Sequence, residues 1–157
     1  MAGGQHLDLG TAGIPSLEAY FDCIQAKSGT FFALGTLSGA VSAASAPGVA
    51  ERYYKFGYNL GIIVQLLNDL VGFYTEEERC DLADGKRTLP ILFVEENAPP
   101  QVRAALRLLL PEAPHSQAAR QQIRDIVREQ GGDAYVFAEI TRHQALASES
   151  LLPEDDP

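Results

Sequence analysis

Residues 51–73, ERYYKFGYNLGIIVQLLNDLVGF, decide the fold. Tyr54, Phe56, Leu60, Ile62, Ile63, Val64, Leu66, Leu67, Leu70 and Val71 place apolar side chains nearly all round a helical wheel. A helix of that kind belongs in a core rather than on a surface. Pro47 and Gly48, just upstream, signal its start. Working outward, residues 30–46 are rich in Ala, Ser and Gly, with Phe31, Phe32, Leu34, Leu37 and Val41 interspersed. The small residues Gly35, Ser38, Gly39 and Ser42 are expected to let another helix approach closely. Ser16 reads as the N-cap of a helix over 17–27 that closes near Gly29. Thr88 and Pro90 open a helix over 91–97, and Pro99–Pro100 open another that ends near Pro111. Residues 117–130 and 133–146 form a helical pair broken at Gly131–Gly132. No alternating strand pattern of useful length occurs. The reading is all-α, six to eight helices, one helical domain over 1–146 and a frayed acidic tail over 147–157.

Composition agrees. A chain of 157 residues suits one domain with a real core. Hydrophobic residues make up 46% and charged residues 21%, too apolar for a disordered chain. Twelve basic residues against 21 acidic ones give a net charge of −9, which disfavours general nucleic-acid binding. It leaves room for a phosphorylated small molecule, which needs only a few local cations. Two cysteines, Cys23 and Cys80, show neither a disulfide framework nor zinc spacing and suit a reducing cytoplasm. No uninterrupted apolar run reaches the ~18–20 residues of a membrane span, and no signal peptide is read at the N-terminus.

Four segments carry candidate chemistry. In QLLNDLVGFYTE (65–76), Gln65, Asn68, Asp69, Gly72 and Glu76 are three and four residues apart, so the spacing predicts one shared helical face. Asp69 is the only carboxylate between Glu51 and Glu76. A carboxylate inside an apolar helix is costly unless it is paired or metal-bound. A satisfied polar contact is the plainer explanation of an isolated Asn-Asp pair. DLADGKRTLP (81–90) puts Lys86 and Arg87 just ahead of a helix N-terminus, where an anion is favoured, but alone it reads as a solvated loop. QAKSGT (25–30) ends a helix at Lys27, which by itself reads as a dipole interaction. GQHLDL (4–9) sets Gln5 and Asp8 three apart. His6, His115 and His143 are scattered and form no ligand cluster.

Taken together and in this order, the four segments resemble the C-terminal half of the trans-isoprenyl diphosphate synthases, the polyprenyl synthetase family. GQHLDL is similar to the family's GQxLDL, Lys27-Ser28-Gly29 to its K-T/S-G element, 65–72 to its second acidic motif QxxDDxxD, and 81–90 to its DxxxGKxTLP element. The resemblance implies a partial isoprenoid-synthase helical bundle. It implies Mg2+-dependent condensation of an allylic prenyl diphosphate with isopentenyl diphosphate. Asp69 would ligate magnesium, Gln65 would line the allylic site, and Lys27 and Lys86 would contact diphosphate oxygens. Asn68 stands where the motif has its first aspartate and Gly72 where it has its last. The window also resembles the ND-xx-S/G-xxx-E metal motif of terpene cyclases, through Asn68, Asp69, Gly72 and Glu76, which would make Glu76 a second acidic ligand. The family's first acidic motif lies upstream of GQxLDL and has no counterpart in this sequence. The expectation is therefore a fragment, a truncated product or a subunit of a homo- or hetero-oligomer. A non-catalytic subunit regulating a full-length synthase and a cyclase-like lyase remain open.

Overall fold

The structure, a computed structural model, describes residues 16–43, 46–76 and 79–152. Seven α-helices and no strand occur among the described residues. Helix α1 (Leu17–Ile24) starts at Ser16, whose Oγ accepts the Ala19 N–H at 3.1 Å. A second tie comes from the carboxylate of Glu96, whose Oε1 accepts the Leu17 N–H at 2.8 Å. Anionic oxygen at a helix N-terminus satisfies donors that the helix itself cannot.

The expected stop at Gly29 does not occur. The chain passes from α1 through one π-helical turn (Gln25–Gly29) directly into α2 (Thr30–Ser42), and Gly29 keeps right-handed helical angles. Its lack of a side chain serves packing instead: a Cβ there would sit 3.0 Å from the Tyr58 ring of α3 (Pro47–Tyr74).

Helix α3 runs 28 residues, with Pro47 in its first turn as the sequence indicated. It lies against α2 and against the C-terminal helix α7 (Gly132–Leu151). The close approach to α2 uses Gly57 and Gly61. A Cβ on Gly57 would meet Thr36 Oγ1 at 2.1 Å and the Phe32 carbonyl at 2.7 Å. One on Gly61 would meet the Ser28 carbonyl at 2.3 Å. The small residues expected to serve this purpose on α2 face elsewhere: nothing lies within 4 Å of a Cβ built on Gly35 or Gly39. By length and composition alone Gly48–Tyr74 could cross a membrane, unlike the expectation from uninterrupted runs. Its polar side chains are instead engaged by α1, the π turn and α7.

Beyond α3 come α4 (Leu89–Asn97), α5 (Pro100–Leu109), a 3-10 turn (Leu110–Glu112) and α6 (Gln117–Glu129). Gly131, at φ 77°, makes the break before α7. Helix α7 continues past the expected end near Leu146 to Leu151, with Ala147 buried on its inner face. Two apolar clusters form the core. Tyr20, Ile24, Ile62, Leu66, Leu89 and Ile140 join α1, α3, α4 and α7, while Phe73, Leu82, Val94, Leu106, Ile123 and Val127 gather under the end of α3. The buried Arg124 closes that end. Its guanidinium donates to the carbonyls of Phe73 (3.1 Å) and Thr75 (2.7 Å), placing positive charge at a helix C-terminus.

A second buried polar link joins α7 to α3. His143 Nδ1 lies 2.7 Å from Asn59 Oδ1, and an Arg142 guanidinium nitrogen lies 2.9 Å from His143 Nε2. Those contacts fit a neutral ring that donates from Nδ1 and accepts at Nε2. Burial first, then the Arg142 charge, hold the imidazole below its ordinary range, against a smaller opposing pull from Glu139. The unfolded chain therefore binds this proton more readily than the native one. The linked stability is complete above pH ~6.5 and is lost as pH falls through the native pKa. We expect the melting temperature to drop between pH 7 and pH 5 by more in the wild type than in His143→Gln, and calorimetry across that range checks it. Packing gives a second expectation. Gly57→Ala should cost ~1–3 kcal/mol by overpacking, whereas Gly35→Ala, with open space around it, should gain up to ~1 kcal/mol of helix propensity. Urea unfolding of the pair reads both signs.

Candidate active site

The site grows out of the helix-to-helix crossing at Gly61. Bringing the Ser28 carbonyl against α3 also brings its hydroxyl, and Ser28 Oγ donates to Gln65 Oε1 at 2.8 Å. Gln65, thus oriented, turns its amide one helical turn onward and donates from Nε2 to Asp69 Oδ1 at 2.7 Å. The other oxygen, Oδ2, accepts the Tyr20 hydroxyl at 2.6 Å. Tyr20 is 1% exposed. Burial first, and then the negative charge of Asp69, hold its phenol well above the ordinary tyrosine range, so it remains a donor. Each oxygen of Asp69 thereby accepts a hydrogen bond from a neutral group, and the two bonds orient the carboxylate.

The π turn is what sets this chain of bonds. An extra residue in one turn shifts the register of Lys27, Ser28 and Gly29 relative to an unbroken α-helix, and such bulges recur at functional sites. Lys27 is half-buried in the same turn.

The second segment docks on α3 one turn beyond Asp69. The Asp81 N–H donates to the Gly72 carbonyl at 3.1 Å. The Asp81 side chain then lies flat against Gly72, where a Cβ would come within 2.3 Å of Oδ2. The turn that follows closes on itself: Lys86 N–H donates to the Asp81 carbonyl at 2.8 Å, and Gly85 takes φ 69°. Lys86 Nζ lies 2.7 Å from Asp81 Oδ1 and 3.8 Å from Asp84 Oδ2. Arg87 is committed to structure. It donates through Nε (3.0 Å) and a terminal nitrogen to Glu95 Oε2, tying the loop to the helix it opens.

The residues singled out from sequence divide accordingly. Gln65 and Asp69 are brought together, and Lys86 is delivered to the same end of α3 through Asp81. Asn68 is exposed on α3. The shared face expected for Glu76 does not form. Helix α3 ends at Tyr74, Thr75 is extended at ψ 139°, and Arg124 holds the carbonyls of Phe73 and Thr75, so Glu76 lies beyond helical spacing and is exposed. GQHLDL lies outside the described residues. Among the described residues no three His, Cys, Asp or Glu side chains gather as a metal cluster. Sequence reasoning missed Tyr20, Ser28 and the side chain of Asp81. Only the glycine at 72 could have hinted that another group fills its space.

Known proteins decide the family. The sequence matches the polyprenyl synthetase family over residues 1–127, most of the chain. The chain belongs to that family. It is 27% identical over 120 residues to heptaprenyl diphosphate synthase component 2 of Bacillus subtilis, covering 73% of this chain and 32% of the relative. It is 29% identical over 145 residues to the chloroplastic solanesyl diphosphate synthase 2 of Arabidopsis thaliana, covering 87% and 32%. The structure of geranylgeranyl pyrophosphate synthase from Corynebacterium glutamicum, complexed with calcium and isoprenyl diphosphate, superposes with a TM-score of 0.83 at 26% identity. That match covers 98% of this chain and 50% of the other. The chain thus spans about a third to a half of the length of these polyprenyl synthetases, and its all-α fold is theirs.

In this member of the family, Tyr20→Phe removes one of the two neutral donors that orient Asp69. The loss of a charge-assisted hydrogen bond should cost ~1.5–3 kcal/mol in urea unfolding. An unchanged midpoint would show that Tyr20 does not hold the carboxylate.

Proposed function

We propose that this chain supplies the diphosphate-binding half of a prenyl diphosphate synthase, a prenyltransferase that joins an allylic prenyl diphosphate to isopentenyl diphosphate. The observation that carries the reading is Asp69. It is a carboxylate placed in an apolar helix, with its two oxygens oriented by the Tyr20 hydroxyl and the Gln65 amide. Hard oxygens of this kind suit magnesium, which keeps several waters and needs few carboxylates. The groups present fit such an ion: Asp69 is pre-oriented, and the cradle over Gly72 holds a second carboxylate, Asp81, rather than a blocking side chain.

Asn68 has a neutral oxygen to offer the same ion. Glu76, the ligand a cyclase-like site would need, lies past the end of α3, and this favours the prenyltransferase over the lyase. When bound, the magnesium ion supplies positive charge to the departing diphosphate oxygens, the main requirement of allylic ionisation. The protein's own groups do the rest. Tyr20 and Gln65 hold Asp69 in one orientation. Lys27, beside Ser28 on the π turn, and Lys86, on the loop after α3, extend cationic side chains for diphosphate oxygens. The apolar core excludes water on the buried side of the site, where a carbocation would otherwise be quenched.

A synthase of this type needs a second acidic helix facing the first. The relatives are two to three times longer than the matched region, and one of them is called a component of its synthase. We therefore read the chain as working in a homo- or hetero-oligomer or with complementing helices, and as inactive in condensation by itself. A cytoplasmic setting suits its two buried cysteines, neither of which is in a disulfide.

The expected result is binding without turnover. Inorganic pyrophosphate with Mg2+ should raise the melting temperature of the purified chain, and Asp69→Asn should remove at least nine-tenths of the Mg2+-dependent affinity. No condensation product should form from the two diphosphates until a helical partner is added. Equal affinity in Asp69→Asn, or turnover by the chain alone, contradicts the proposal.

A further inference from the structure

We infer that the outer face of α7 is a docking surface for a second copy of this chain, with the two α7 helices packed antiparallel about a twofold axis at Ala145. Helix α7 turns Val136, Ile140, His143 and Ala147 inward and shares no residue with the candidate site, so the inference stands apart from the functional reading.

The outer face carries large apolar side chains into solvent. Phe137 is 55% exposed and Leu152 63% exposed, with Leu151 exposed beside it. Between them runs an uncharged row of exposed residues, Ala138, Thr141, Ala145 and Ser148, in steps of three and four on the side opposite the inward row. Thr141 Oγ1 donates to the Phe137 carbonyl at 2.9 Å, so its hydroxyl is satisfied within the helix. Small side chains here let a second helix come close enough to cover the larger apolar groups.

The flanks of the row name the partner. Arg142 and Glu149 stand on one flank, and Phe137, Gln144 and Leu151 on the other, all exposed. A twofold axis across two antiparallel helices sets each flank against its own copy. A residue before the axis then meets one as far after it. Arg142 lies three positions before Ala145 and Glu149 four after, so each arginine meets the partner's Glu149, twice by symmetry. Phe137 lies eight before, and Leu151 and Leu152 six and seven after, so these apolar groups meet within about 3 Å of register at 1.5 Å per residue. A parallel pair would instead set Arg142 against the partner's Phe137 and Glu149 against the partner's Gln144, leaving both charges unanswered. Arg142 can serve both contacts: it holds Glu139 at 2.8 Å while its side chain stays 53% exposed, and a guanidinium has five donors.

The test is sedimentation equilibrium on the intact chain, and a dimer is expected. Ala145→Glu, which sets two carboxylates face to face on the axis, should weaken it about 30-fold or more. Glu149→Arg should weaken it about tenfold, and adding Arg142→Glu, which exchanges the charges, should restore it to within about threefold of wild type. Val71→Asp on α3 should leave the dimer intact, which separates this surface from the apolar faces of α2 and α3. Both native cysteines are buried, so introduced thiols report the geometry. Ala145→Cys should give a disulfide-linked dimer on mild oxidation, whereas Ala134→Cys, roughly 30 Å from its copy, should not. A monomeric wild type overturns the inference, as does a dimer that survives Ala145→Glu or is lost in Val71→Asp. Failure of the charge exchange to restore the dimer, or ready cross-linking through Ala134→Cys, overturns the antiparallel pairing and the inference with it.

Discussion

The carboxylate of Asp69 must be solvated by protein, and the helices are arranged around that need. An ionised oxygen on an apolar helix loses its water and recovers stability only through donors at hydrogen-bond distance. Tyr20 reaches it from α1 and Gln65 from one turn back on α3, and Gln65 is itself set by Ser28. None of these contacts exists unless the π turn lies directly on α3. That closeness is possible only because Gly57 and Gly61 carry no side chain. The glycines, the π turn and the carboxylate are one device, in which backbone approach decides side-chain chemistry.

What could be read in the sequence follows from range. The core helix announced itself through all-round apolarity, Pro47 through its place ahead of the periodic run, Ser16 as a cap, and Gly131 as a break. Each is a property of a few consecutive residues. The misreadings share the opposite character. Gly29 looked like a stop because glycine after lysine often is one, yet its use depends on Tyr58, 29 positions away. Glu76 looked helical because spacing alone extends without limit, whereas Arg124 fixes the real end from another helix. The packing of Asp81 over Gly72 was invisible because its partner there is a missing side chain. The acidic residue was read at its own loop and the glycine at its own helix, and only folding places one on the other.

The outward faces of α3 and α2 carry exposed apolar side chains. Along α3, Tyr53, Leu67 and Val71 are exposed, with Leu60 and Val64 partly covered between them, so an apolar seam in steps of seven, four, three and four residues runs along the helix. Phe31, Leu34 and Val41 do the same on α2. Seams of this spacing are what helices bury against other helices. The superposable synthase is twice as long, and its matched region is the half described here. The open glycines on α2, which meet nothing among the described residues, belong to this same outward surface.

Seam and site share one helix, and this ties assembly to chemistry. Asn68 is exposed between Leu67 and the half-buried Asp69, so the acidic end of α3 opens toward the face that carries the apolar residues. Any helix laid along the seam would end its contact beside Asp69 and roof the site as it buried the apolar groups. Covering the seam would lower the local dielectric and strengthen every charge interaction at Asp69, Asp81 and Lys86. The proposed reaction has that same requirement, since a carbocation needs the water gone and the leaving diphosphate needs its cations close. Thus the exposed apolar seam and the carboxylate of Asp69 lie on one helix, so whatever covers the first also changes the surroundings of the second.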